Sequence, residues 1–387
     1  MTKGNFPFEK FERLQTPFYF YDTGLLRKTI QAVVAEAIPY DYRIHYAVKA
    51  NANPQILSII HEYGVGADCV SGGEIQAALK AGFPPDKIVF AGVGKADWEI
   101  NLGLENNIFC FNVESLPELE VINELAAKQG KTARIALRIN PDVDARTHHH
   151  ITTGTKDNKF GIHLEQLDAV LDRIPSLPCI EPVGIHFHIG SSITGLEPFR
   201  QLCIRTNEIQ QRLAKRNIRL PHINFGGGLW IDYNDPDGHS IPDFKRFFEL
   251  FRTHLQPYPG QQIHFEPGRS VVGQCGSLIS KVLYVKAGSE KQFVVLDAGF
   301  TELIRPALYD AYHKIENLTS CEPEEMYDVV GPICESSDCF GEQVLLNRTR
   351  RGDTIAIRSA GAYGEIMASQ YNCRQLPLAY FSETLNS

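Results

Sequence analysis

No apolar run in the 387-residue chain approaches the roughly 20 residues that a membrane-spanning helix needs. The stretch from Met1 to Arg13 is polar and mixed in charge. It lacks the apolar centre of a secretory signal, so a cytoplasmic protein is expected. Cysteine pairs at metal or redox spacing are missing too. The nine cysteines are odd in number and scattered, with no CxxC among them. Free thiols in a reducing compartment are expected, and neither a disulfide framework nor a zinc site. Positive charge is in the minority: 38 Lys and Arg against 46 Asp and Glu leave a net charge of −8. That balance argues against a nucleic-acid wrapper. There is no Pro/Gly/Ser-rich linker and no internal repeat beyond the alternation described below. What is there is ordinary globular material, 43% hydrophobic and 22% charged. This excludes disordered, collagen-like and low-complexity chains. At roughly 150 residues per domain the length suggests two or three domains, each able to bury a core without staples.

Short β-branched runs alternate with amphipathic stretches through the first two thirds. The candidate strands are Arg43–Val48, Val65–Cys69, Lys87–Ala91, Ile108–Phe111, Ala133–Ile139, Pro182–Phe187, His222–Phe225 and Gln262–Phe265. Helices are expected at Thr23–Ala37, Pro54–Tyr63, Gly73–Ala81, Ser115–Lys128, Leu164–Ile174, Pro198–Lys215 and Pro242–Leu255. Eight such βα units suggest a closed (β/α)8 barrel over residues 23–268, with an open doubly wound sheet as the alternative. After Arg269 helical periodicity fades. Strand-like runs follow at Leu278–Val285, Gln292–Leu296, Met326–Val330, Asp353–Arg358 and Ile366–Tyr371. Residues 269–387 therefore read as a β-rich domain, joined by residues 1–22 through the early run Phe18–Tyr21.

Barrels carry their chemistry at the C-terminal ends of strands. Strand one closes on Lys49, whose amine forms a Schiff base when desolvated; a lysine snorkelling to solvent is the plainer reading. Strand two closes on Asp68, before Ser71-Gly72-Gly73, and strand five on Arg138. Strand six ends in His186-Phe187-His188-Ile189-Gly190-Ser191, with both histidines on one face. They suggest either a metal pair or a ring stacked on a flat cofactor. Strand seven ends in Gly226-Gly227-Gly228, able to bring backbone N–H groups close to an anion, or simply a flexible turn. Strand eight ends in Glu266-Pro267-Gly268-Arg269. A buried Glu needs a cationic partner, and a protonated ring nitrogen supplies one. An imine-forming amine, a phosphate cradle, a stacking ring and a carboxylate for a ring N–H are the set that pyridoxal phosphate requires. No GxGxxG follows strand one, and Ala91-Gly92-Val93-Gly94-Lys95 lacks Walker spacing, which disfavours a nucleotide.

Tyr46–Asn51, His186–Ser191, Gly226–Gly228 and Glu266–Arg269 together resemble the fold-type III pyridoxal-phosphate decarboxylases of basic amino acids. The resemblance runs from about Thr16 to Phe381, with the motifs in the family's order. Further segments resemble the family's diaminopimelate branch. They are Thr153–Lys156, Lys159–Ile162, Arg305–Tyr309, Cys334–Ser336 and Gly361–Gly364. The chain departs from the common form at Phe225, at Leu229-Trp230 and at Phe300-Thr301-Glu302, all beside the chemical groups.

The resemblance implies decarboxylation of meso-2,6-diaminopimelate to L-lysine and CO2, the last step of lysine biosynthesis. It implies Lys49 as the cofactor's covalent anchor and His188 as the ring stacked on it. Ser191, Gly227, Gly228 and Arg269 would hold the phosphate, with Tyr363 closing over it, and Glu266 would hold the pyridine nitrogen protonated. Asp68 and Arg138 would stand near the cofactor. Cys334 would be the proton donor, while Arg305, Tyr309, Glu335 and Arg269 would hold the substrate, with Tyr363 beside them. It also implies a homodimer in which Cys334 and Glu335 reach the partner's site. Alternatives on the same fold are a decarboxylase of carboxynorspermidine, ornithine or arginine, a racemase, and a non-catalytic pyridoxal-binding homeostasis protein.

Overall fold

The computed structural model describes Gly4, residues 6–143 and residues 158–386. It divides into two compact units. One comprises Ile30–Trp230 and Asp243–Gly268, the other Met1–Thr29, Ile231–Pro242 and Arg269–Ser387. The expected boundaries, 23–268 against the rest, differ in two places. The boundary falls inside the helix Thr23–Ala37, and the excursion Ile231–Pro242 belongs with the C-terminal part. Side chains explain the second difference: Asp237 pairs with Arg358, and the Tyr233 hydroxyl accepts from Arg269.

The strands begin with β1 (Phe18–Tyr21). The barrel follows as β2 (Arg43–Ala47), β3 (Gly66–Cys69), β4 (Ile88–Phe90), β5 (Cys110–Val113) and β6 (Ala133–Asn140). After the two-residue β7 (Ile162–His163) come β8 (Ile180–His186), β9 (His222–Asn224) and β10 (Gln262–Phe265). Neighbours pair in parallel from β2 through β6, then β8, β9 and β10, and β10 returns to β2. The sheet is thus a closed eight-stranded barrel, as the alternation predicts, and not an open sheet. Its strands read as continuous apolar runs because helices cover one face and packed side chains the other. Helix starts are set by side-chain caps: Asn53, Ser71, Ser115 and Asp243 each accept a backbone N–H of the following turn. On the outside, Phe247 and Phe251 of the helix Phe244–His254 pack against Phe265, with Phe251 also on Phe225. Each such ring contributes about 1.5–3 kcal/mol by burial.

The helix Asp97–Asn106 lies outside the expected set. Its N-terminus carries Ala96 rather than a usual cap residue, and Glu99 supplies the missing acceptor by reaching back to the Ala96 N–H.

The second unit is built on a mixed eight-stranded sheet. Its further strands are β11 (Gly276–Ala287), β12 (Gln292–Leu296), β13 (Ile315–Asn317), β14 (Glu324–Val330), β15 (Cys339–Asn347), β16 (Thr354–Ile357) and β17 (Leu378–Phe381). As expected, β1 joins this sheet, antiparallel to β11 with Phe18 opposite Ile279; it is also parallel to β17. One expectation fails: Ile366–Tyr371 is not a strand. Glu365–Met367 and Tyr371–Cys373 form short 3-10 turns. Ile366 and Tyr371 are exposed, so no sheet face gains by burying them. The unanticipated β13 and β17 are short, and the half-buried β15 bears few apolar positions on a common face. Among the described residues no helix is long and apolar enough to cross a membrane.

Candidate active site

Six barrel strands bring their ends together around a set of buried charges. Lys49 sits in the one-turn segment Val48–Ala50 that follows β2, with its Nζ 3.8 Å from Asp68 Oδ2. Asp68, on β3, is fully buried, and neither carboxylate oxygen has a hydrogen-bond partner among the described residues. Burial first, then the neighbouring Glu266 charge, raises its carboxyl to about 8, against the pull of Lys49. Glu266, just past β10, is equally buried but fully bonded. Its Oε1 accepts from Asn224 Nδ2 at 2.6 Å and Asn112 Nδ2 at 3.4 Å, and its Oε2 faces His186 Nε2 at 3.0 Å. Burial alone would raise this carboxyl; the His186 imidazole, its hydrogen bond and Lys49 prevail and hold it well below the usual carboxylate range. His186 is thus a carboxylate partner, not half of a metal pair.

His188 Nδ1 accepts the Gly227 N–H at 3.3 Å. Burial, then Lys49 and Arg138, push its pKa well below the ordinary value, so the ring is neutral and carries its proton on Nε2. The loop of Ser191 is tied to the glycine loop by the Ile193 N–H, which donates to Gly228 C=O at 2.9 Å. A Cβ on Gly227 would lie 2.3 Å from the Glu266 carbonyl oxygen, and one on Gly228 2.6 Å from that of Gly190. Only glycine permits this packing, which leaves room for an anion beside the backbone. Arg138, on β6, is held by Glu114 and lies over Phe160, with its guanidinium carbon 4.7 Å from the ring centroid. Glu114 also accepts the N–H groups of Gly92 and Gly161.

The second unit holds another cluster. Arg269 and Arg305 are both buried, at the starts of the short helices Arg269–Val272 and Arg305–Tyr309. Arg269 Nη1 donates to Tyr233 Oη at 2.6 Å and lies over Tyr363 at 4.8 Å. Arg305 donates from Nε to His313 Nε2 at 3.3 Å and from Nη2 to Tyr233 Oη at 3.5 Å. Tyr309 flanks Arg305 at 6.0 Å. Tyr363 adopts a left-handed backbone, φ 55°, uncommon for a bulky residue. Among the described residues neither Cys334 nor Glu335 forms a hydrogen bond with Arg305. Cys334 is exposed, and Glu335 Oε1 accepts from Tyr371 Oη at 2.7 Å. Thr153–Lys156 lies outside the described residues.

The residues that support these groups were not anticipated. Asn112 and Asn224 had a signal, since polar residues inside apolar barrel strands need a buried partner. Glu114 had a weaker one, at the end of β5. Tyr233 and His313 stand in irregular segments and had none.

The residues fit pyridoxal phosphate. The orphaned Asp68 oxygens and Lys49 mark the place of a cationic, amine-reactive group, and the glycine loop makes an anion cradle. Residues 24–273 match the family model "Pyridoxal-dependent decarboxylase, pyridoxal binding domain". A diaminopimelate decarboxylase of Bacteroides thetaiotaomicron is 63% identical over 384 residues, covering 99% of this chain and 100% of that one. One of Aquifex aeolicus is 41% identical, covering 93% and 84%. The crystal structure of diaminopimelate decarboxylase from Helicobacter pylori complexed with L-lysine matches with a TM-score of 0.92. It is 41% identical, and the match covers 97% of this chain and 94% of that one.

Proposed function

The chain belongs to the pyridoxal-dependent decarboxylase family, and from that premise we propose that it decarboxylates meso-diaminopimelate to L-lysine. The carrying observation is the buried carboxylate of Glu266, held ionised by His186 and two asparagines, in the same barrel end as the Lys49 amine. Pyridoxal phosphate, when bound, supplies an electron sink for the pair of electrons left by departing CO2. Lys49 would anchor the cofactor covalently. Glu266 would hold a proton on the ring nitrogen, because an ionised carboxylate favours the protonated partner. The neutral, flat His188 would stack on the ring. Ser191, Gly227, Gly228 and Arg269 would hold the phosphate, with Tyr363 closing over it. Asp68 and Arg138 line the surroundings.

Diaminopimelate carries a second amino-acid head. Arg305, flanked by Tyr309, grips that far carboxylate, with Arg269 and Tyr363 beside it, and Glu335 takes the far ammonium. The Cys334 thiol donates a proton to the carbon that has lost CO2. We assign Cys334 and Glu335 to the site of a second copy, making the working form a homodimer; the exposure of Cys334 supports this. We place the enzyme in the cytoplasm, where nine free cysteines persist as thiols.

The test is CO2 and L-lysine formation from meso-diaminopimelate by the purified holoenzyme, against ornithine, arginine and carboxynorspermidine. Turnover of one of these in preference overturns the substrate. For the shared site, inactive Lys49→Ala and Cys334→Ala subunits are mixed. Recovered activity is expected, and none in proven mixed dimers overturns it.

A further inference from the structure

We propose that His313 is a positioning residue that aims the Arg305 guanidinium without neutralising it, and so sets the preference for ligands with a far carboxylate. This rests on the reading above that Arg305 takes that carboxylate.

Two other buried arginines of this chain are paired with carboxylates: Arg138 with Glu114, and Arg358 with both Glu316 and Asp237. Arg305 is as deeply buried, yet among the described residues no carboxylate lies within pairing distance of it. Its Nε donates instead to His313 Nε2. That bond needs a bare Nε2, and the neighbouring backbone enforces one: His313 Nδ1 lies 2.9 Å from the Arg358 carbonyl oxygen, so the ring proton sits on Nδ1 and donates there. Burial, then Arg305 itself, lowers the imidazole pKa to about 3, so the acceptor stays neutral at ordinary pH. Tyr233 stands edge-on to the imidazole, 5.2 Å between centroids at 85°, which limits its rotation. The same tyrosine offers its hydroxyl to Arg305 Nη2 and Arg269 Nη1.

Two edges of the Arg305 fork are thus held by neutral acceptors. Nη1, which has no hydrogen bond to any described residue, is left for a ligand together with the second hydrogen of Nη2. A carboxylate in place of the imidazole would orient the fork equally well, but it would cancel the charge and compete with the incoming anion.

L-Lysine and cadaverine isolate the contact, since they differ only by the carboxylate assigned to Arg305. Their dissociation constants are measured by equilibrium dialysis on the holoenzyme, with the cofactor's visible absorbance as a check of loading. His313→Glu should cut the lysine-over-cadaverine preference about 10- to 100-fold. His313→Gln, whose amide oxygen takes the place of Nε2, should keep it within about threefold. His313→Asn keeps a donor for the Arg358 carbonyl but removes the acceptor, so the preference should fall several-fold. An unchanged preference in His313→Glu overturns the proposal; should that variant not fold, an unchanged preference in His313→Asn does so. Arg305→Lys separates the two readings. If it too leaves the preference unchanged, the assignment of Arg305 to the carboxylate is wrong. If it alone abolishes the preference, only the role of His313 is.

Discussion

At the ends of the barrel strands two buried carboxylates have cationic or polar partners: Glu266 has His186 and two asparagines, and Glu114 has Arg138. Around Arg305 in the second unit the buried charge is a guanidinium, and the groups beside it are the neutral His313 and Tyr233. Both regions remove ions from water, which is costly unless hydrogen bonds replace the lost hydration. The difference lies in what remains afterwards. Paired charges in the barrel leave a rigid frame with the protonation of Glu266 settled in advance. An unneutralised guanidinium leaves a positive charge for a ligand to satisfy. A partner's charge therefore indicates whether a buried ion serves the fold or awaits a substrate.

The largest expected effect comes from breaking the barrel side at its reactive group. Lys49→Ala should reduce activity to the background of the assay, and borohydride should no longer fix cofactor to the protein. In the unchanged protein the reduced label should map to the Lys49 peptide, and recovery on another lysine would refute the assignment.

Arg305→Lys probes the other side. It keeps the charge and loses the fork, so kcat/KM for diaminopimelate should fall about 30- to 1000-fold, equivalent to roughly 2–4 kcal/mol. The cofactor spectrum should stay as it was. A spectrum that changes would move Arg305 from substrate to cofactor or folding.

Glu114→Gln sharpens the contrast, because it leaves the buried Arg138 charge uncompensated. A stability loss of about 3–5 kcal/mol is expected in urea unfolding, with His313→Gln far milder in the same assay. Equal losses would show that paired and unpaired arginines are not distinguished in this way.

The smallest effect is a slope. His313 binds its proton less tightly folded, at about 3, than at the ordinary 6.5. Between those values the unfolded chain carries more protons than the folded one, so stability contributed by this group is present above 6.5 and lost as pH falls. His45, His188 and His264 are lowered in the same direction and set the background. Urea midpoints at pH 7 and pH 5 should differ less in His313→Gln than in the parent, and an equal difference would mean that the folded ring takes up its proton in that window.

The barrel was legible because each strand is buried on both faces and announces itself as an apolar run, and Lys49, Asp68 and Glu266 because charged residues closing such runs are conspicuous. His186 was visible as an inward histidine, but not as the partner of Glu266, which lies 80 residues away in sequence. Ile366–Tyr371 read as a strand from composition alone, yet exposed side chains and local turns prevail there.

The linear order of residues was enough to determine the alternation that closes a barrel, the residue types at the strand ends, and through them the cofactor and the reaction class. Which groups hold those residues in place was decided only by the folded chain. His313 reaches Arg305 from eight residues on, beyond the end of the helix Arg305–Tyr309, and Tyr233 reaches it across 72 residues, contacts that no periodicity announces. Whether an imidazole stays neutral or a carboxylate ionised depends on burial and on neighbouring charges, and both come into being only when distant segments pack together.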